Sequence, residues 1–364
     1  MNFFIFFLLA FVVSFCLVPI VINLARHFEI VDVPRGDRKI HKKPMPSFGG
    51  IAPYFGITVV ILLILWLIPN LLTDEISIKK IVGVLLAGLV LMIGGFLDDK
   101  YDLKPKWQII FPIIAALAIV ASGIGIREIT NPFGSGVISL VTWEKVLFWR
   151  DGIGYRLSLP SDLFTFIWLM GMMYTTKFLD GLDGLVSGLT AIGALMILFL
   201  TLTTQWYQPE VGVLSAIVAG AFIGFLFWNF HPAKIFLGEG GSLFGGFILG
   251  VLAIISGGKI ATALLVFAIP ILDAIWIIFR RVFWEGKSPF KGDRKHLHFR
   301  LLNTGLSHRL SVVFLYMVAL LFGTLTLVLQ SSEKLVALAV LFVLMLIIGS
   351  LLVVLGKNRN KILS

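Results

Sequence analysis

Residues 162–204 read DLFTFIWLMGMMYTTKFLDGLDGLVSGLTAIGALMILFLTLTT. Two apolar runs, 162–177 and 185–204, flank a short link that carries Lys177, Asp180 and Asp183. A helix needs about 20 apolar residues to cross a bilayer, and fewer where its ends rest in protein. The second run meets that length and the first, at 16 residues, falls in the shorter range, and the charges between them fall where two spanning helices would turn back at a membrane surface. An ionisable group at that depth is costly, so its position carries information.

The pattern extends outward in both directions. Apolar runs cover approximately 2–25, 51–69, 81–97, 108–125, 162–177, 185–204, 210–228, 243–256, 260–279, 310–330 and 335–355. They predict an all-α polytopic membrane protein with about eleven transmembrane helices in a single membrane-embedded domain spanning 1–364. Composition agrees: 58% of the 364 residues are hydrophobic and 14% charged, and the mean hydropathy of +1.00 is too high for a water-soluble core. The first run lacks a basic leader and a small-residue cleavage site, so it reads as a retained helix and not a signal peptide. Cys16, the only cysteine, excludes an internal disulfide. The stretches Gly136-Val-Ile-Ser-Leu140 and Tyr155-Arg-Leu-Ser-Leu159 suggest short strands around Asp151-Gly152, a small β-hairpin within 126–161.

Charge gives the orientation. Alternating loops place 22 of the 30 Lys and Arg on the side of 26–50, 98–107, 177–184, 229–242, 280–309 and 356–364, against 8 on the other. By the positive-inside rule the richer side is cytoplasmic, which puts the N-terminus and 126–161 outside and the C-terminus inside. The net charge of +10 then reflects loops beside anionic headgroups, and nucleic-acid binding is not expected.

The same cytoplasmic loops hold the acidic groups. Asp98 and Asp99 close the third run, Asp180 and Asp183 lie three apart so that a helix would put both on one face, and Glu239 sits in the glycine-rich Leu237-Gly-Glu-Gly-Gly-Ser242. A single helix-end Asp is usually a solvated cap. Three groups on one side point to a shared cleft, where repelling carboxylates need protons or a hard divalent cation. Mg²⁺ takes oxygen ligands and bridges phosphates. Between Arg280 and Arg309, the dense Asp293, Arg294, His296 and His298 suit donors to a diphosphate better than a zinc site, which would need further ligands. Asp273, deeper in the ninth run, suits either a structural partner or a substrate contact.

Taken together, Asp98-Asp99, Phe178-Leu-Asp-Gly-Leu-Asp-Gly-Leu185, Trp228-Asn-Phe-His-Pro-Ala-Lys-Ile-Phe-Leu-Gly238 and Asp293-Arg-Lys-His-Leu-His298 give the chain its likeness. It resembles the polyprenyl-phosphate N-acetylhexosamine-1-phosphate transferases, the superfamily of WecA and TagO and, more distantly, MraY. The resemblance covers nearly the whole chain. It implies transfer of a HexNAc-1-phosphate, GlcNAc-1-phosphate first among them, from a UDP-sugar to undecaprenyl or another polyprenyl phosphate. UMP is released, in the first membrane step of cell-surface glycan synthesis at a bacterial cytoplasmic membrane. It further implies that Asp98 and Asp99 handle the acceptor phosphate, with Asp98 the candidate base or positioning group. Asp180 and Asp183 would organise the metal and nucleotide region, with Asp99, Asp180 and Glu239 the metal set for Mg²⁺ or Mn²⁺. Asn229 would place the nucleotide, and Arg294, His296 and His298 would bind the donor diphosphate. A homodimer is left open.

Three positions depart from that pattern. Tyr174-Thr-Thr-Lys177 stands where Asn-Ala-x-Asn is usual, Glu239 where a metal-binding Asp is usual, and Phe299 where another histidine is usual. Glu239 keeps oxygen chemistry with one methylene more reach. Lys177 either contacts substrate phosphate or neutralises Asp180 and displaces the ion. Two alternatives to an active transferase follow: a catalytically reduced relative that binds lipid phosphate or a partner, and, of another class, a secondary transporter. Transporter sites sit near the bilayer midplane, so depth separates the last reading from the others.

Overall fold

The computed structural model describes residues 2–34, 44–73, 76–131, 136–150, 153–203, 207–257, 260–286, 296–329, 333–334, 336–344 and 347. The chain is mostly helical. In order it forms α1 (Phe3–His27), β1 (Val31–Asp32), β2 (Met45–Pro46), α2 (Ile51–Leu67), α3 (Asn70–Thr73), α4 (Ile78–Tyr101), α5 (Pro105–Gln108) and α6 (Ile110–Ser122). Strands β3 (Glu128–Thr130), β4 (Val137–Ser139), β5 (Glu144–Arg150) and β6 (Ile153–Ser158) follow. The rest comprises α7 (Leu159–Leu179), α8 (Leu185–Thr201), α9 (Pro209–Asn229), α10 (Gly238–Ile255), α11 (Ile260–Val266), α12 (Ala268–Phe279), a π-helical turn (Arg280–Trp284), α13 (Leu297–Asn303) and α14 (His308–Val328).

Six helical stretches among the described residues, 3–27, 78–101, 105–122, 209–229, 238–255 and 308–328, are long and apolar enough to cross a membrane. Helices α2 and α8 are shorter and equally apolar. Such sequences form helices because lipid offers no partner to a backbone N–H or C=O, and a helix satisfies each within the segment. Their packing is layered. Helices α8, α9 and α10 are buried nearly all round. Helix α1 buries one stripe, Ala10, Ser14, Val18, Val21, Ile22 and Ala25, while Phe4, Leu8, Val12, Ile20 and Leu24 face outward. That spacing is the apolar stripe of a helix packed on one side only.

Close backbone approach fixes the contacts that matter to the site. A Cβ at Gly220 would lie 2.1 Å from the Phe7 carbonyl oxygen, and one at Gly95 2.2 Å from the Gly240 nitrogen. The first lets α9 cross α1 through small residues, as membrane helices do without a hydrophobic driving force. The second brings the end of α4 against the start of α10. Phe236 N–H donates to Pro46 O at 2.9 Å, and Gly50 N–H to Leu237 O at 2.7 Å, which ties the start of α2 to the same place.

Several expectations need correction. The ninth apolar run is two helices interrupted at Phe267, next to Pro270, which has no N–H to return to the carbonyl of Val266. The link 180–184 is a turn and not helix, so Asp180 and Asp183 do not share a helical face. The expected single hairpin is two. Strand β4 pairs with β3 and β6 with β5, both antiparallel, because nearer partners close shorter loops. The Arg150↔Ile153 register leaves two residues for the connection, the length typical of tight hairpins; Asp151 and Gly152 themselves lie outside the described residues. A third pair, β1 with β2, was not anticipated. Of the last run, 336–344 is helical, and most of the remainder lies outside the described residues.

Candidate active site

One end of the bundle collects the last turns of α4, α7 and α9 and the first turns of α8, α10 and α14. Between them opens a cavity of about 980 Å³ whose walls include Asp98, Asp99, Asp180, Asp183, Asn229 and Glu239. The five carboxylates singled out in the sequence therefore face one space, despite lying up to 141 positions apart.

Each acid is held differently. Asp98 caps its own helix end: Oδ1 accepts from Leu103 N–H at 3.0 Å and from Gln108 Nε2 at 2.8 Å, after Asp102 ends α4 in the left-handed region at φ 49°. Asp99 reaches across to α10, where Oδ1 accepts from Glu239 N–H at 3.3 Å; a carboxylate at a helix N-terminus is favoured by the dipole. Its Oδ2 is buried without a hydrogen bond, although Ser47 lies close by. Asp180 is reached by solvent inside the cavity, yet the surrounding protein raises its carboxyl above the usual range. The charges of Glu239, Asp99 and Asp183 add to that shift.

The Asp183 corner is knitted closed. Asp183 Oδ2 bonds His231 Nδ1 at 2.7 Å and accepts from Ala233 N–H at 3.3 Å, while Asp183 N–H donates to His308 Nε2 at 2.8 Å. The imidazoles of His231 and His308 stack with centroids 4.1 Å apart. These three side chains are near enough to hold a metal ion, but the ligand atoms already satisfy one another. Asn229 braces the same link. Its Oδ1 accepts from Gly184 N–H at 3.1 Å and Ser187 Oγ at 2.7 Å, and its Nδ2 donates to Ile235 O at 3.0 Å.

Lys177, in the last turn of α7, pairs with Glu239 and not with Asp180. It also donates to Gln108 Oε1 at 3.1 Å, and so joins Glu239 to Asp98 through Gln108.

The histidines expected to bind a diphosphate are packed behind the cavity wall. His296 Nδ1 meets Asp273 Oδ2 at 2.8 Å, and Leu297 N–H donates to Asp273 Oδ1 at 3.1 Å, so Asp273 is the anchor of α13. His298 is 1% exposed, neither ring nitrogen has a hydrogen-bond partner, and burial, with His296 and His308 adding, lowers its pKa to about 3. It is neutral near pH 7. A Cβ at Gly181 would fall 2.4 Å from its Nε2, which requires glycine in the link. Phe299, and not His298, lines the cavity. Arg294 and Asp293 lie outside the described residues. Gln108, His231 and His308 have no role in the sequence reading: Gln108 and His308 sit at helix ends nine and ten positions beyond a motif, and His231 lies inside Trp228–Gly238 unassigned.

Metal fit can be judged from the donors. Asp99 Oδ2 is a buried carboxylate oxygen without a hydrogen bond, and Glu239 Oε1 is buried against Lys177; carboxylates around one cavity suit a hard divalent ion, although among the described residues three ligand atoms come within 4.8 Å of one another only at Asp183, His231 and His308. As a class of site, a carboxylate cluster at one end of an apolar helix bundle suits a hard cation and, through it, phosphate oxygens.

Comparison with known proteins narrows the class. The model of "Glycosyl transferase family 4" matches residues 81–257. A probable undecaprenyl-phosphate N-acetylglucosaminyl 1-phosphate transferase of Bacillus subtilis (strain 168) is 31% identical over 363 residues, 97% of this chain and 93% of that protein. A decaprenyl-phosphate N-acetylglucosaminephosphotransferase of Mycolicibacterium smegmatis is 32% identical over 81% of this chain and 74% of its own length. The undecaprenyl-phosphate alpha-N-acetylglucosaminyl 1-phosphate transferase of Escherichia coli K12 is 28% identical over 85% and 79%. The chain belongs to glycosyl transferase family 4.

Proposed function

We propose that this protein transfers N-acetylglucosamine 1-phosphate from UDP-N-acetylglucosamine to a polyprenyl phosphate. The observation that carries this is the likeness to transferases so named along 97% of the chain, joined to five carboxylates around one cavity. An oxygen of the lipid phosphate attacks the sugar-bearing phosphorus, the bond to the bridging oxygen breaks, and UMP leaves. Mg²⁺, with Mn²⁺ as substitute, would be held by Asp99, Asp180 and Glu239, and when bound would offset the charge at the transferring phosphorus.

The chain's own residues supply placement. Asp98, held by Gln108 and Leu103 N–H, orients the acceptor phosphate or takes its proton. Asn229 acts by fixing the Asp180–Gly184 link, since its amide is spent on protein partners. His296 and His298 set the position of α13 from behind, and Arg294 would bind the donor's diphosphate. The reading includes a single domain of about eleven spans, the cavity on the cytoplasmic side and β3 to β6 outside, in a bacterial cytoplasmic membrane. The acidic groups cluster at helix ends rather than mid-span, which argues against a transporter. The Lys177–Glu239 pair favours one second reading, a reduced relative whose metal position is taken by an ammonium.

Purified protein given UDP-N-acetylglucosamine, polyprenyl phosphate and Mg²⁺ should release UMP, and chelation should stop it. Absence of UMP with every UDP-HexNAc tried would remove the transferase reading in favour of the reduced relative.

A further inference from the structure

The ion pair at Glu239 deepens that reading and rests on it. Lys177 Nζ touches Glu239, donates to Gln108 Oε1 and lies 5.6 Å from the centre of the Tyr174 ring. Its side chain is 19% exposed and that of Glu239 18%. An ammonium carries three N–H donors and no acceptor, and one so enclosed is stable only while paired. Gln108 in turn donates from Nε2 to Asp98 Oδ1 at 2.8 Å and to Leu103 O at 2.8 Å. One amide therefore fixes the ammonium on one side and an active-site carboxylate on the other.

We propose that Lys177 is a built-in counter-cation which competes with the divalent ion for Glu239, and that Gln108 is the positioning residue that holds it there. Glu239 has two chemically equivalent oxygens, and the one in contact with the ammonium, Oε1, is buried. A dication seated on that oxygen would meet a fixed positive charge at contact distance, so the ion enters only as Lys177 turns away. Lys177 thereby sets how tightly the site takes metal. Its four-carbon stem allows the swing, and the same ammonium is then free to meet a phosphate oxygen of the substrate.

The test reads metal binding without turnover. Full-length protein in detergent is titrated with Mn²⁺ and followed by electron paramagnetic resonance, for the wild type, Lys177→Gln and Lys177→Arg. Lys177→Gln should bind about 10- to 100-fold more tightly, the scale on which contacts around a metal's ligands act, while Lys177→Arg should stay near wild type. Unchanged or weaker binding by a folded Lys177→Gln overturns the proposal. A second measurement needs only the wild type: methylation of Lys177, quantified by mass spectrometry, should quicken several-fold when Mn²⁺ is added, and an unaltered rate is equally fatal. Tighter Mn²⁺ binding by Lys177→Gln without UMP release removes the transferase reading alone. UMP release with Mn²⁺ affinity indifferent to Lys177 removes this one alone.

Discussion

Asp183 and Asp99 line the same cavity and are built on opposite terms. Around Asp183, two stacked imidazoles and the amide of Ala233 close a network in which each group's bond supports the next. Around Asp99, Asp180 and Glu239, Asp99 Oδ2 is buried without a hydrogen bond and like charges act on one another, with Lys177 paired to Glu239. The first arrangement stabilises the folded chain. The second costs stability, and such strain persists where a ligand is to bind. Residues that look alike in sequence thus divide into a scaffold half and a working half of one site.

The largest expected effect lies in the working half. Glu239→Gln and Asp99→Asn should each lower UMP release by at least about a hundredfold, since loss of a charged metal contact removes several kcal/mol at about 1.4 kcal/mol per tenfold. Asp99→Asn should hold or raise the melting temperature in metal-free buffer, because a repelling charge is gone, whereas Glu239→Gln leaves the enclosed Lys177 ammonium without its carboxylate and should lower it. Glu239→Asp should keep part of the activity. A loss of thermal stability in Asp99→Asn, in parallel with activity, would erase the distinction between the halves.

The scaffold half should answer in the other sense. Asp183→Asn weakens its bonds to His231 and Ala233 and should cost about 1–3 kcal/mol of stability, the usual price of leaving buried polar groups unmatched. Melting curves in detergent read this directly. Asp273→Asn should act similarly through His296 and the start of α13, and should raise KM for the UDP-sugar more than it lowers kcat, because it displaces a wall and not a reacting group.

Much of the fold was legible in the sequence because lipid imposes one rule everywhere: an apolar run of sufficient length becomes a helix. Described helices overlap every one of the eleven runs. The carboxylates were legible for the complementary reason, as charges are costly at helix ends buried in a bundle. What escaped depends on side-chain partners that spacing does not encode. Lys177 follows Tyr174 by three and precedes Asp180 by three, so the sequence offered Asp180 as its neighbour. The crossing of α4 and α10 at Gly95 and Gly240 places Glu239 nearer. Likewise His298 reads as a donor to a diphosphate in a basic loop, and only packing against Gly181 makes it a buried neutral ring.

That ring yields the smallest expected effect and a pH test of the scaffold. Its folded pKa of about 3 lies below the 6.5 of an unfolded histidine, because burial disfavours the charged imidazolium. A base with a depressed folded pKa contributes its full stability above about 6.5, where both states are neutral. Below that the unfolded chain takes up a proton that the folded chain refuses, and stability falls by at most about 1.4 kcal/mol per pH unit down to about 3. The melting temperature of the wild type should therefore decline from pH 6.5 to 5. His298→Gln carries no titrating group, so it should melt lower than wild type at pH 7.5 and show a shallower decline. An equally steep decline in that variant would assign the proton uptake to other groups and remove His298 as its source.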